Sequence, residues 1–220
     1  MEEKIKNFFI WIGVIVFYLT SQLIMPSILD RFNITNQYVS NTCLVLSDII
    51  VVTLLIFFYK KDFKKDHDDL NNGYKDKLKI TIKIWLIGLI AMIISNNIIN
   101  LFTANGIASN ESINRTVLEE LTLYAIPTMI IFGPICEEII FRLSLKKIFS
   151  NKYLYVILSG LLFGGAHVLG TSGIELLYII PYGALGAAFA YIYVRTKNII
   201  CPILAHMIHN FICILLILFL

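Results

Sequence analysis

Seven long apolar stretches, with nearly all charge confined between them, constrain this chain more than any other feature. They run Phe8–Leu29, Thr42–Tyr59, Thr81–Phe102, Leu121–Leu145, Leu154–His167, Ile174–Val194 and Ile199–Leu220. A helix that crosses a bilayer takes about 20 apolar residues, within a range near 17–25. Five stretches meet that comfortably, Thr42–Tyr59 lies at the short end, and Leu154–His167 needs a helix starting near Ser150 to reach it. Hydrocarbon offers no partner to backbone polar groups, so the stretches are helices, and the period-two alternation of a membrane barrel is absent. The expected fold is all-α, a polytopic integral membrane bundle of about seven transmembrane helices, with residues 1–220 forming one membrane domain. Composition agrees: 58% of the 220 residues are hydrophobic and 15% charged, against roughly 45–50% and 25% in a soluble domain. That shortfall in charge excludes a disordered chain, a nucleic-acid-binding domain and an ordinary cytosolic enzyme.

Lys and Arg in the connections set the orientation. Lys4, Lys6, the lysines from Lys60 to Lys83, Lys146, Lys147, Lys152, Arg195 and Lys197 fall on one side, and only Arg31 and Arg115 on the other. The expected topology is therefore N-in and C-out, with membrane lipids as the surrounding partner. The first span is too long for a signal-peptide core and no small-residue cleavage pattern follows it, so it reads as a retained anchor. Segment 60–80 is expected as a solvated cytoplasmic loop, open to contact with anionic lipid headgroups. The connection Thr103–Glu120 faces outward and looks mildly helical. Cys43, Cys136, Cys201 and Cys213 sit singly in the spans, as small buried hydrophobes rather than metal or nucleophilic sites.

A charged side chain at mid-membrane costs at least about 2.5–3.5 kcal/mol on insertion scales, so such residues ask for a pairing or a function. The fourth stretch holds Glu137, Glu138 and Arg142 in the run Pro-Ile-Cys-Glu-Glu-Ile-Ile-Phe-Arg. Glu138 and Arg142 are four apart, share a helix face and can neutralise one another. Glu137 points about 100° away. It needs a partner from another span, stays protonated, or meets water, which makes it the catalytic candidate and Glu138 the structural one. Pro134, just upstream, is placed to loosen the helix.

Three of the four histidines, His167, His206 and His209, also fall in apolar stretches, whereas His67 lies in the polar segment. At about 1.5 Å per residue, Glu137 lies roughly 15 Å in from Lys147, His206 roughly 10 Å in from Ile199, and His167 about 20 Å in from Lys152. All three can meet in the inner half of the bilayer. His206 and Asn210 share a face, and Phe163 sets a ring beside His167. Gly160 and Gly164, and the pairs Gly183/Ala187 and Gly186/Ala190, are small-xxx-small faces that let helix backbones approach. Asp48 and Glu175 have no evident role beyond local hydrogen bonding.

These residues resemble a family. Glu137-Glu138-Ile-Ile-Phe-Arg142 is similar to the EExxxR motif of the CPBP intramembrane proteases, also called the CAAX-protease and bacteriocin-processing (Abi) family. Phe163-Gly-Gly-Ala-His167 resembles its FxxxH motif, and His206-Met-Ile-His-Asn210 its HxxxN motif, in the family's order. Leu143 stands where many bacterial members carry a packing glycine, and His209 is not a motif position. The resemblance implies a catalytic core over residues 121–215 and hydrolysis of a peptide bond in or near the membrane. It further implies that Glu137 with His167 activates water, that His206 and Asn210 stabilise the oxyanion, and that Glu138 and Arg142 organise the site. A glutamate-activated water without obligatory metal is the favoured form, because HExxH or another tight zinc spacing is absent. Zinc held by Glu137, His167 and His206 is the alternative. The implied substrate is a lipidated (prenylated) protein tail or a peptide precursor, in a bacterial plasma membrane, with bacteriocin maturation or self-immunity as its setting. Two further readings remain: a non-catalytic immunity protein that binds a bacteriocin or its receptor, and a proton-coupled transporter. The transporter reading lacks an inverted repeat or paired broken helices.

Overall fold

The computed structural model describes residues 2–71, 73–103 and 108–219, and among these there is no strand. Helix α1 covers Glu2–Arg31, α2 Gln37–Phe58, α3 Lys60–Asn71, α4 Tyr74–Asn100 and α5 Ser109–Glu120. Helix α6 runs Thr122–Ser144, α7 Lys152–His167, α8 Ile179–Thr196 after a 3-10 turn at Gly173–Tyr178, and α9 Ile200–Phe219. Six of the described helical runs are long and apolar enough to cross a membrane: α1, α2, α4, α6, α8 with its leading turn, and α9. The protein is a multi-pass helical membrane bundle. The seventh expected span is the difference. Helix α7 begins at Lys152, where the Asn151 side chain accepts from Tyr153 N–H and Leu154 N–H. That cap stops it from reaching back to Ser150 and leaves 16 residues, about 24 Å.

Polarity is distributed inside out relative to a soluble protein. Large apolar side chains such as Phe9, Leu23, Ile87 and Ile157 are exposed around the outside, while Glu138, Arg142, Ser159 and Asn198 are fully buried. One apolar core joins Val51, Val52 and Leu55 of α2 with Ile139, Ile140 and Leu143 of α6 and Ile203 of α9. A second joins Ile84 of α4 with Leu185, Phe189 and Ile192 of α8 and Ala205 of α9. Segments expected on the same side of the membrane meet. Asn7 of α1 donates to Lys147 O at 3.2 Å, and Lys147 pairs with Asp62 of α3 at 2.7 Å.

The polar segment read as a solvated loop is largely helical and docked. Asp66 of α3 is buried, and its Oδ2 accepts from the Ile199 N–H at 2.7 Å, just ahead of α9. Asn198 Nδ2 donates to Asp66 O at 2.5 Å and to Asp69 Oδ2 at 3.1 Å, and Asp69 pairs with Lys77 at 3.0 Å. Burial holds the Asp66 carboxyl above its usual range, against the pull of the Ile199 bond. The Asn198 and Lys77 contacts hold Asp69 below it. The connection at the other end is helical over Ser109–Glu120, as expected, and residues 104–107 lie outside the described part.

The small-residue faces have a direct geometric reason. A Cβ on Gly160 would lie 2.7 Å from Gly183 O, and one on Gly164 would lie 2.6 Å from Ile179 O. Helices α7 and α8 thus touch backbone to backbone, and a Cβ on Gly186 would lie 2.8 Å from Phe163 Cδ1. Gly165 faces open space. Gly164→Ala should cost about 1–3 kcal/mol through overpacking, whereas Gly165→Ala should be neutral or stabilising by up to about 1 kcal/mol. Thermal unfolding of the two variants in detergent checks the contrast.

Candidate active site

Helix α6 carries the acidic pair and is not a regular α-helix. Two π turns, Thr128–Phe132 and Ile139–Ser144, flank the α-helical segment Gly133–Glu138. Pro134 has no N–H to give to the carbonyl four residues back, and the Gly133 N–H bonds instead to Thr128 O, five back. A π turn leaves carbonyls that need donors from elsewhere, because none comes from lipid. Neighbouring helices supply them. Trp11 Nε1 donates to Ile140 O at 3.1 Å, Ser159 Oγ to Phe141 O at 2.7 Å, and Tyr155 OH to Arg142 O at 3.3 Å. On the first π turn, Asn210 Nδ2 donates to Met129 O at 2.8 Å.

The second carboxylate is locked. Glu138 Oε2 lies 3.0 Å from Arg142 Nε with both side chains fully buried, and Glu138 Oε1 accepts from His206 Nδ1 at 2.9 Å. Arg142 lies over Phe163 at 4.7 Å, Phe189 at 5.7 Å and Phe141 at 5.8 Å, and its Nη1 approaches Ser159 Oγ at 3.4 Å. Aromatic faces suit a guanidinium that water cannot reach. The i, i+4 pairing expected of Glu138 and Arg142 is what the helix forms.

Glu137 is less engaged. Its side chain is 24% exposed, while Oε2 is buried without a hydrogen-bond partner and lies 3.8 Å from His206 Nε2. The two histidines are oriented by what their Nδ1 atoms hold. The His206 Nδ1–H donates to Glu138, and the His167 Nδ1–H donates to Phe163 O at 2.9 Å, since a carbonyl only accepts. In the neutral imidazoles each Nε2 is then a free lone pair. The Phe163 ring links them, with centroids 4.4 Å from His167 and 5.7 Å from His206.

Arg142, His167 and His206 thus lie around the Phe163 ring, and Glu138 and Glu137 approach His206 at 2.9 and 3.8 Å. Asn210, expected to point at the same reactive centre, instead engages the backbone of the π turn with one amide N–H. Two aromatic residues outside the motifs complete the walls. Tyr182 stacks on His167 at 4.6 Å and Phe189 stacks on His206 at 4.7 Å. They are seven apart on α8, one helix face, a spacing visible in the sequence and overlooked beside the small residues. His209 is buried against Cys213 at 3.6 Å and is not part of the group. Among the described residues no three His, Cys, Asp or Glu side chains are grouped to hold a metal ion, so this arrangement lends the zinc alternative no support.

Breaking the buried pair should be costly. Arg142→Met leaves Glu138 buried with its charge uncompensated, a loss of about 3–5 kcal/mol. Arg142→Lys should recover only part of it, because an ammonium neither spreads over the rings nor keeps the guanidinium geometry. Thermal unfolding in detergent, with membrane accumulation as a second readout, checks both.

Comparison with known proteins bears on the same region. A family model for type II CAAX prenyl endopeptidase Rce1-like proteins matches residues 119–212, a stretch containing all seven motif residues. The chain is 31% identical over 174 residues to a Bacillus subtilis (strain 168) protein named "Putative membrane peptidase YdiL". That match covers 74% of this chain and 64% of the relative, so the chain spans slightly less than two thirds of the relative's length. No solved structure matches. The three motifs lie in order on α6, α7 and α9 with the family match across them, so residues 119–212 are similar to the Rce1-like (CPBP) family.

Proposed function

We propose that the protein is an intramembrane endopeptidase that hydrolyses a peptide bond by attack of a water molecule activated by Glu137 and His167. The observation that carries the reading is the division between adjacent carboxylates. Glu138 is consumed by Arg142 and His206, while Glu137 keeps a buried oxygen without a hydrogen bond beside an imidazole nitrogen. The Glu137 carboxylate and the His167 Nε2 lone pair would together take the proton from water as it attacks the scissile carbonyl. The proton then passes to the leaving amine. Charge growing on the carbonyl oxygen needs donors. His206 supplies one through Nε2 when both of its nitrogens carry hydrogen, with Glu138 balancing that charge. The second N–H of Asn210, not used by Met129 O, is the other.

Arg142 and Glu138 act by holding His206 in place. The reaction is written on side chains and water, with no step through a metal. The substrate class is a membrane-associated peptide bond, in a lipidated protein tail or a peptide precursor, which matches the family description and the apolar surroundings of the site. The relative's organism supports a bacterial plasma membrane as the setting. A role in bacteriocin maturation or self-immunity fits such a substrate and is part of the proposal.

Glu137→Gln should abolish cleavage of a membrane-inserted peptide in proteoliposomes, and His167→Ala should lower it by on the order of 10²–10⁴-fold, at equal protein levels. Turnover retained in both variants would overturn the protease reading. A cellular phenotype retained by Glu137→Gln would favour the non-catalytic binding protein instead.

A further inference from the structure

Asp48 sits on α2, about 16 Å along the helix from Gln37, and is only 6% exposed. A carboxyl group at that depth is expensive and asks for a reason. Its partners are neutral: Thr128 Oγ1 donates to Oδ2 at 2.7 Å, and Gln22 Nε2 approaches Oδ1 at 3.4 Å. Thr128 is the residue whose carbonyl accepts the five-back bond that closes the first π turn of α6. The next residue, Met129, has its carbonyl held by Asn210 from the opposite helix, α9. The turn is therefore gripped from two sides at adjacent positions, by α2 through Asp48 and by α9 through Asn210.

We infer that Asp48 is a positioning residue for Glu137, holding the π turn Thr128–Phe132 in the register that aims Glu137 at His206. A π turn contains one more residue than an α turn. Relaxing it to α geometry would rotate everything that follows by about 100°, which is the angle separating Glu137 from Glu138 on the helix. Glu137 would then leave the imidazoles, and Glu138 would be drawn away from His206. Gly133 closes the turn: a Cβ there would lie 3.1 Å from Thr128 O and 3.8 Å from Glu137 Oε1. The Asp48–Thr128 bond thus acts on the site only through the backbone of α6.

This inference rests on the proposed function for its kinetic readout but also has one that needs no substrate. Asp48→Leu, Thr128→Val, the double variant and Thr128→Ser would be made in the full chain, purified in detergent and reconstituted. Turnover of a membrane-inserted peptide should fall on the order of 10²-fold in kcat, with KM little changed, in each of the first two. The double variant should be no slower than the slower single one, because both remove the same bond. Thr128→Ser, which restores the hydroxyl, should recover wild-type kcat. In parallel, the rate at which dicyclohexylcarbodiimide modifies Glu137, read by peptide mass spectrometry, should change in Asp48→Leu and Thr128→Val and return in Thr128→Ser. Wild-type Glu137 modification in Asp48→Leu and Thr128→Val overturns the positioning role, whatever the turnover. The predicted modification pattern in a protein that cleaves no peptide would keep Asp48 in its role and sink the protease reading alone.

Discussion

The rest of the structure is built to tolerate one interaction: a carboxylate, a guanidinium and an imidazole packed together where no water reaches. Glu138 and Arg142 have no exposed surface, and His206 has almost none. Removing two charges from water costs several kcal/mol per ion, repaid only when every oxygen and proton finds a partner. Glu138 Oε1 accepts from His206, its Oε2 is ion-paired with Arg142, and three aromatic rings surround Arg142, whose Nη2 is buried without a hydrogen-bond partner. An arrangement this costly is poor as a source of stability. Its value is that it fixes His206 and leaves the neighbouring Glu137 as the carboxylate with unspent hydrogen-bonding capacity.

Accommodating that group reshapes three helices. Helix α6 widens into π turns on either side of the acidic pair, and the carbonyls this frees are met by Trp11, Tyr155, Ser159 and Asn210 from α1, α7 and α9. Helix α7 must come close enough for Ser159 and Phe163 to reach α6, and Gly160, Gly164 and Gly186 allow it by removing the side chains that would block α8. Helix α9 is seated at its start by Asp66 and Asn198, seven residues or so before the histidine it presents. The charged surface segment is thereby tied, through one helix end, to the interior.

Much of this was legible in the residues. Apolar runs showed the long spans, the i, i+4 spacing paired Glu138 with Arg142, and the glycine spacings marked the α7–α8 contact. What escaped was whatever depends on partners from another helix. A π turn has no composition of its own: Thr128–Phe132 reads as ordinary apolar helix until Asp48 and Asn210 are seen holding it. Segment 60–71 looked like a loop because its charges resemble solvated ones, and only contact with Ile199 and Asn198 shows which of them are buried. The shortness of α7 follows from the Asn151 cap, which apolar length alone does not reveal. Asn210 shared a face with His206 as expected, but one of its protons goes to the backbone rather than to the reactive centre.

The central claim is that the two adjacent glutamates do different jobs, one holding the site and one reacting in it. Thermal unfolding of purified Glu137→Gln and Glu138→Gln in the same detergent tests this without any knowledge of the substrate. The account predicts that Glu137→Gln unfolds at the wild-type temperature, while Glu138→Gln, which strands Arg142 without its charge partner, unfolds well below it. Equal losses in the two variants, or a larger loss in Glu137→Gln, would contradict it.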